Sequence, residues 1–368
     1  MAVEYAAMTS GLEDRFQNLH EIVKAAKASL PPGPWDYLAG ATETETTMRR
    51  NRLAVDSVAF RPRVLRDVSN VDLTRTFLGK SLRLPVLTAP IGGLETFDPA
   101  GGAAVARATA EFGVFQMLSS VCIPGLEEVA KAADNARIFQ LYVRGDRSFV
   151  DDHARRAIDH GYAGFTITVD TAHYSRRERD IATRFVKPWR QRATGMNYQA
   201  GMTWDLIKYF KDTYTIPLGL KGIATAEDAE LCVQHGVDMV YVSNHGGRQL
   251  DHGRGSMDVL PEVLKAVNGR AKVIIDGGFT RGTDVIKAIA MGADMVGLGR
   301  LPCYGLAAAS APGVVRVLEL LEDEMRICMG LLGAAKLENL DRSYLHVGAP
   351  MVREPHVLSS FPLIGEGY

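Results

Sequence analysis

Met239-Val240-Tyr241-Val242-Ser243-Asn244-His245-Gly246-Gly247-Arg248 is the stretch on which the reading of this chain turns. Its first half is a short apolar run without polar alternation, as expected of a strand covered on both faces. Its second half leaves that strand with an imidazole, two glycines and a guanidinium in quick succession. A proton acceptor and an anion clamp are thereby placed at one strand end. The glycines are read as clearance for a site beside them.

Working outward, runs of the same character recur at 84–90, 114–120, 137–143, 164–170, 216–222, 272–278 and 295–300. Between them lie segments of helical period, clearest at 101–112, 126–133, 149–160, 226–235, 257–267 and 283–291. Gly113, Gly161, Gly236 and Gly292 stand where helices should stop, since glycine accepts the left-handed conformation of a C-terminal cap. This strand–helix alternation with right-handed crossovers predicts an α/β fold, a closed (β/α)8 barrel. An open doubly wound sheet is the rival, but no G-x-G-x-x-G follows the first strand.

One domain spanning 1–368 is expected, with a barrel core at about 84–330. An amphipathic helix at 18–30, ended by Pro31-Pro32-Gly33-Pro34, forms an N-terminal helical arm. Segments 60–67 and 81–84 are read as strands closing the bottom of the barrel. A long helix is expected at 314–329, and the Pro- and Gly-rich C-terminal tail from 346 should wrap the surface or meet a neighbour.

Basic and acidic residues balance, 42 against 43, which gives no reason to expect nucleic-acid binding. The four cysteines have no metal-ligand spacing and read as reduced core thiols. With a polar, acid-containing N-terminus and no apolar run of ~20 residues, a cytoplasmic enzyme is expected.

Barrel chemistry sits at the C-terminal strand ends. Taken in order, those ends carry Pro90-Ile91-Gly92, Ser119, Gln140 with Tyr142, Thr168 with Asp170, Lys221, Ser243 with His245 and Arg248, Asp276-Gly277-Gly278, and Gly299-Arg300. Packing alone does not explain so many polar groups, because burying them unpaired costs several kcal/mol, roughly 2–7 each.

Five further segments sharpen the reading: Ala59-Phe60-Arg61-Pro62-Arg63, Phe139-Gln140-Leu141-Tyr142, Thr168-Val169-Asp170-Thr171, Ser175-Arg176-Arg177-Glu178-Arg179-Asp180 and Leu220-Lys221-Gly222. With the opening run, they make the chain from about Phe16 to Gly330 resemble the FMN-dependent 2-hydroxy-acid oxidase and dehydrogenase family. That family includes glycolate oxidase, lactate oxidase, mandelate dehydrogenase and flavocytochrome b2.

The resemblance implies bound FMN. Glycine-rich turns after the last two strands, with Arg300, would hold its phosphate, as barrel phosphate sites do. Lys221 would face the N1–O2 edge of the ring. Gln140, Thr168 and Ser119 would bond the ring and Asp276 the ribityl chain, with Pro90, Ile91, Gly92, Ser243, Gly278 and Gly299 nearby. It further implies that His245 takes the proton of the substrate hydroxyl, that Asp170 holds the imidazole, and that hydrogen passes to flavin N5. Arg248 and Arg177 would clamp a carboxylate, for which two guanidinium forks are suited. Tyr142 and Tyr37 would bond the substrate, a small 2-hydroxy acid or related hydroxy lactone. A homo-oligomer, a tetramer by analogy, is expected.

Three departures from the family pattern stand out. Thr280 occupies the place of a phosphate-binding Arg, with Arg281 beside it to compensate. Gly92 matches mandelate dehydrogenase, where several oxidases carry Ala, and so favours a quinone-type electron acceptor over oxygen. The segment between Phe185 and Trp204, short for the family, holds Lys187, Trp189, Arg190, Arg192, Met196, Tyr198 and Met202. That composition suits an active-site lid or a peripheral membrane contact, and both readings stay open. An FMN-dependent isomerase is the non-redox alternative, although a double carboxylate clamp has no evident use there.

Overall fold

The computed structural model describes residues 11–191, 193–348, 358–361 and 364. Eight parallel strands close into a barrel: β1 Val86–Thr88, β2 Phe115–Ser119, β3 Arg137–Leu141, β4 Gly164–Thr168, β5 Leu218–Ile223, β6 Met239–Val242, β7 Lys272–Ile275 and β8 Met295–Leu298. Each lies within one of the expected apolar runs or overlaps it. β1 pairs with both β8 and β2, so the sheet has no edge. Helices follow the strands, among them Gly101–Phe112, which ends at Gly113 with φ 87°. All four cysteines are buried free thiols.

The lower barrel is filled from its N-terminal side. Leu87, Phe115, Ile138, Met239, Ile274 and Met295 form one buried cluster with Phe77 and Leu82. Those last two come from a hairpin, Arg75–Phe77 with Lys80–Leu82, and Phe77 meets Phe115 edge-on at 5.9 Å. The expected bottom strand at 81–84 is therefore one arm of this plug. The other, at 60–67, is not a strand there: Val58–Phe60 pairs with Leu345–Val347 near the C-terminus, and the chain beyond Phe60 is irregular.

The arm helix Leu19–Ser29 starts at Asn18, whose side chain accepts from Glu21 N at 3.1 Å while Glu21 accepts from Asn18 N, a reciprocal capping box. The proline run then both ends this helix and begins another, Pro32–Ala39, because proline suits the first helical turn. A further helix, Thr46–Asp56, lies across the C-terminal end of the barrel. It buries Thr47, Asn51 and Arg52 alongside Met48, Ala54 and Val55, so polar side chains interrupt its inward face and the hydrophobic pattern does not announce it.

The expected long helix is larger than 314–329. It runs from Arg300 to Leu332, broken at Ala309 and Ser310, and packs against Leu19–Ser29 and Gly101–Phe112. It is long and apolar enough to cross a membrane by composition, but most of it is buried in this core. Most of the tail lies outside the described residues. Phe361 is buried against His20 and Tyr304.

Candidate active site

At the end of β6 the backbone tightens into a short turn, His245–Gly247, with His245 at φ 59°. Left-handed backbone outside glycine is uncommon and tends to mark functional positions. The turn is held by Asn244, which accepts from Gly247 N at 3.1 Å and exchanges amide hydrogen bonds with Asn51 at 2.7 and 2.8 Å. The glycine clearance serves the protein rather than a ligand. A Cβ on Gly247 would sit 2.5 Å from Met48 N, and one on Gly246 would meet Arg300 Nη1 at 3.0 Å. Asn51 also braces the turn after β7, where Gly277 and Gly278 have φ 104° and 89° and a Cβ would strike Asn51.

His245 is held from both sides. Its Nδ1 lies 3.1 Å from Asp170 Oδ1, and its Nε2 lies 3.1 Å from the Tyr142 hydroxyl. Gly222, at φ 114° beside a β-bulge in β5, makes this possible: a Cβ there would fall 2.6 Å from Asp170 Cβ. Burial lowers the His245 pKa, Asp170 opposes that, and Lys221 and Arg177 add to the lowering; the net direction is down. Burial works against the Asp170 carboxylate, but His245 and then Lys221 outweigh it and hold its pKa below the ordinary value. The lowered imidazole pKa favours a neutral ring backed by a carboxylate, an arrangement able to accept a proton. Burial raises the pKa of Tyr142 and of Tyr37, so both phenols stay protonated donors.

Arg248 crosses the Tyr37 ring at 4.8 Å and donates to the carbonyls of Tyr37 and Gly40 at 2.6 and 2.9 Å. Arg177, at the start of the short helix Glu178–Ala182, reaches Ser175 Oγ and the Arg248 carbonyl. Burial and then the neighbouring Arg177 press the Arg248 pKa downward. Among the described residues neither guanidinium has an ion-pair partner, so an incoming carboxylate would relieve this strain. The Tyr37 hydroxyl donates to Gly92 O at 2.6 Å.

His245, Tyr142, Tyr37, Arg248 and Arg177 line a cleft that extends to the turns after β7 and β8. Pro90, Ile91, Gly92, Lys221, Asp276, Gly278, Thr280, Gly299 and Arg300 share its wall. Deeper, Lys221 Nζ bonds Ser243 Oγ at 2.9 Å, and Ser243 Oγ donates to Asp276 Oδ1 at 2.6 Å. Ser119, Gln140 and Thr168 are buried at adjacent strand ends. Gln140 donates to Thr168 Oγ1 at 2.8 Å, and its Oε1 is left without a partner. A Cβ on Gly299 would meet only Ile91, at 3.9 Å, so space opens there. An orphaned buried carbonyl, a lysine at a strand end and an open glycine turn fit a large, flat, polar cofactor with a phosphate tail.

One expected contact lies elsewhere. Arg281 is outside the cleft wall: it pairs with Glu324 at 2.5 Å and donates to Ser360 O in the tail. Thr280 keeps its place in the wall while its hydroxyl meets Ser360 Oγ at 2.6 Å. Arg300 reaches the carbonyls of Leu38, Gly40 and Gly246.

Sequence reasoning did not single out several other wall residues: Arg144, Val121, Tyr174, Gln199 and His173, the last read as structural. Only Arg144 carried a usable signal, standing two residues after Tyr142 in the loop that leaves the same strand end. In the 185–204 segment, Lys187 turns inward: it is buried and paired with Asp180 and Tyr174. Trp189 lines the cleft. Arg192 lies outside the described residues.

The family model described as FMN-dependent dehydrogenase matches residues 26–347. This chain belongs to that family. It is a flavoenzyme, an oxidoreductase whose cofactor is FMN. It is 39% identical to glycolate oxidase of Spinacia oleracea over 89% of this chain and 95% of that one. It is 37% identical to L-lactate oxidase of Nostoc sp. over 90% and 98%. Solved structures of similar shape include a mandelate oxidase with 3,3-difluoro-2-hydroxy-3-phenylpropionic acid, at TM-score 0.84 and 37% identity over 90% of this chain and 100% of that one. An active chimera of (S)-mandelate dehydrogenase superposes with TM-score 0.85 at 33% identity, over 90% and 99%.

Proposed function

We propose that this flavoenzyme oxidises a 2-hydroxy acid, or a related hydroxy lactone, to the 2-oxo compound, with His245 as the base. The observation that carries the reading is the His245–Asp170 pair, set in a cleft beside Arg177 and Arg248, neither of which has a carboxylate partner among the described residues. Arg248 and Arg177 bind the substrate carboxylate and fix the adjacent hydroxyl beside His245. His245 takes the hydroxyl proton at Nε2, and Asp170 stabilises the imidazolium that forms. Tyr142, already at that nitrogen, donates to the substrate oxygen. FMN, when bound, accepts the hydrogen from C2 and both electrons. Lys221, Gln140 and Thr168 would hold its ring, and the glycine turns with Thr280 and Arg300 its phosphate.

The acceptor is best read as oxygen. Gly92 argued for a quinone, but a packing reason accounts for that glycine: a Cβ there would lie 2.6 Å from Val121 Cγ2. The relatives named above include oxidases, which supports oxygen.

Anaerobic mixing of the yellow holoenzyme with a panel of 2-hydroxy acids tests this reading. Flavin bleaching is expected, with peroxide formed on admitting air. His245→Gln should retain the flavin spectrum and lose bleaching; unaltered bleaching would remove His245 as base.

A further inference from the structure

Resting on the reading of a 2-hydroxy acid, we infer that the substrate carries a second carboxylate at its far end, received by Arg144 with Gln199. The wall of the cleft holds five cationic side chains, Arg144, Arg177, Lys221, Arg248 and Arg300, against one carboxylate, Asp276. Four of the five have work. Arg177 and Arg248 form the clamp, Lys221 sits 3.4 Å from Asp276, and Arg300 ties the arm to the His245 turn.

Arg144 has none of these uses. Among the described residues its guanidinium makes no ion pair, and its Nε is buried without a hydrogen-bond partner. Its neighbour is the Trp189 ring, 5.1 Å from the guanidinium carbon. Burial lowers its pKa, opposed only by the Tyr142 phenol. A desolvated cation without a counter-ion is costly, and an anionic ligand removes the cost.

The position is suited to the far end of a short substrate. Arg144 follows Tyr142 by two residues, both line the cleft, and Tyr142 touches the base. Gln199 joins the wall from the helix Asn197–Ala200; it is buried, and its Nε2 has no partner. A guanidinium and an amide N–H in the wall of one cleft, both without partners, suit a second carboxylate, whereas an alkyl or phenyl tail would leave both unpaired.

The test compares acids matched in chain length. Calorimetry on the holoenzyme reads binding of 2-oxopentanedioate against 2-oxopentanoate, and anaerobic flavin bleaching reads 2-hydroxypentanedioate against 2-hydroxypentanoate. The unaltered enzyme should bind the diacid at least about 10-fold more tightly, as a charge-assisted pair in a desolvated site implies. In R144M that ratio should fall to about 1–2, with R144K between the two, because a lysine keeps charge but not the fork. Equal binding of diacid and monoacid by the unaltered enzyme, or a diacid preference that survives both R144M and Q199L, overturns the inference. If R144M does not fold, R144K and the unaltered enzyme's own ratio decide. A diacid preference in binding with no bleaching by either hydroxy acid would sink the proposed oxidation and leave this subsite standing.

Discussion

The Asp170 carboxylate lies against the Nδ1 side of His245, 3.1 Å away, and leaves the opposite ring nitrogen to face the cleft. That relationship fixes which nitrogen works. With Nδ1–H held by the carboxylate, the lone pair on Nε2 points toward Tyr142 and the substrate position. Asp170→Asn should keep the flavin but slow its reduction by roughly 10²-fold or more, the scale of general-base catalysis. Stopped-flow bleaching under anaerobic conditions measures this, and a rate within a few-fold of the unaltered enzyme would deny Asp170 its role.

The pH profile follows from the same pair. Because the His245 pKa is lowered, mainly by burial, the base is mostly neutral at the ordinary histidine pKa of about 6.5. kcat/KM should rise through a pKa below 6.5 and level off above it. The Asp170 carboxylate raises the histidine pKa, so Asp170→Asn should move the acid limb to still lower pH. A limb that moves upward would contradict this electrostatic account.

Arg52 and Asp284 form a buried double contact at 2.8 and 2.9 Å, and Arg52 also donates to Gly278 O. Arg52→Met would strand Asp284, and removing one partner of a buried pair costs about 3–5 kcal/mol. At roughly 2 °C per kcal/mol, the melting temperature should fall by about 6–10 °C. Differential scanning calorimetry checks this; an unshifted transition would mean that water or another cation replaces the guanidinium.

Gly92→Ala presses a methyl onto Val121 and disturbs the carbonyl that accepts from Tyr37. Overpacking of this kind costs about 1–3 kcal/mol. Adding Val121→Ala should recover most of the loss, so a double-mutant cycle should show coupling of about 1 kcal/mol or more. Additive effects would place the clash elsewhere.

Much of the site was legible because barrel strand ends are contiguous in sequence. Gln140 with Tyr142, Thr168 with Asp170, and Ser243 with His245 each follow an apolar run, and the fold collects such ends on one face. The helix Thr46–Asp56 was not legible, because Thr47, Asn51 and Arg52 interrupt its buried apolar face. Its partners are also remote: Asn51 meets Asn244 across 193 positions.

What the sequence by itself determined is the barrel and the list of reactive side chains, since apolar period and strand-end chemistry are written in neighbouring residues. Only the tertiary structure decided what each space and charge is for. It assigned the clearance at Gly247 to Met48 and that at Gly92 to Val121, turned Arg281 out toward Glu324, and set Arg144 and Gln199 in one cleft. The physical reason is common to all of them: clearance and charge compensation depend on atoms brought together from distant parts of the chain.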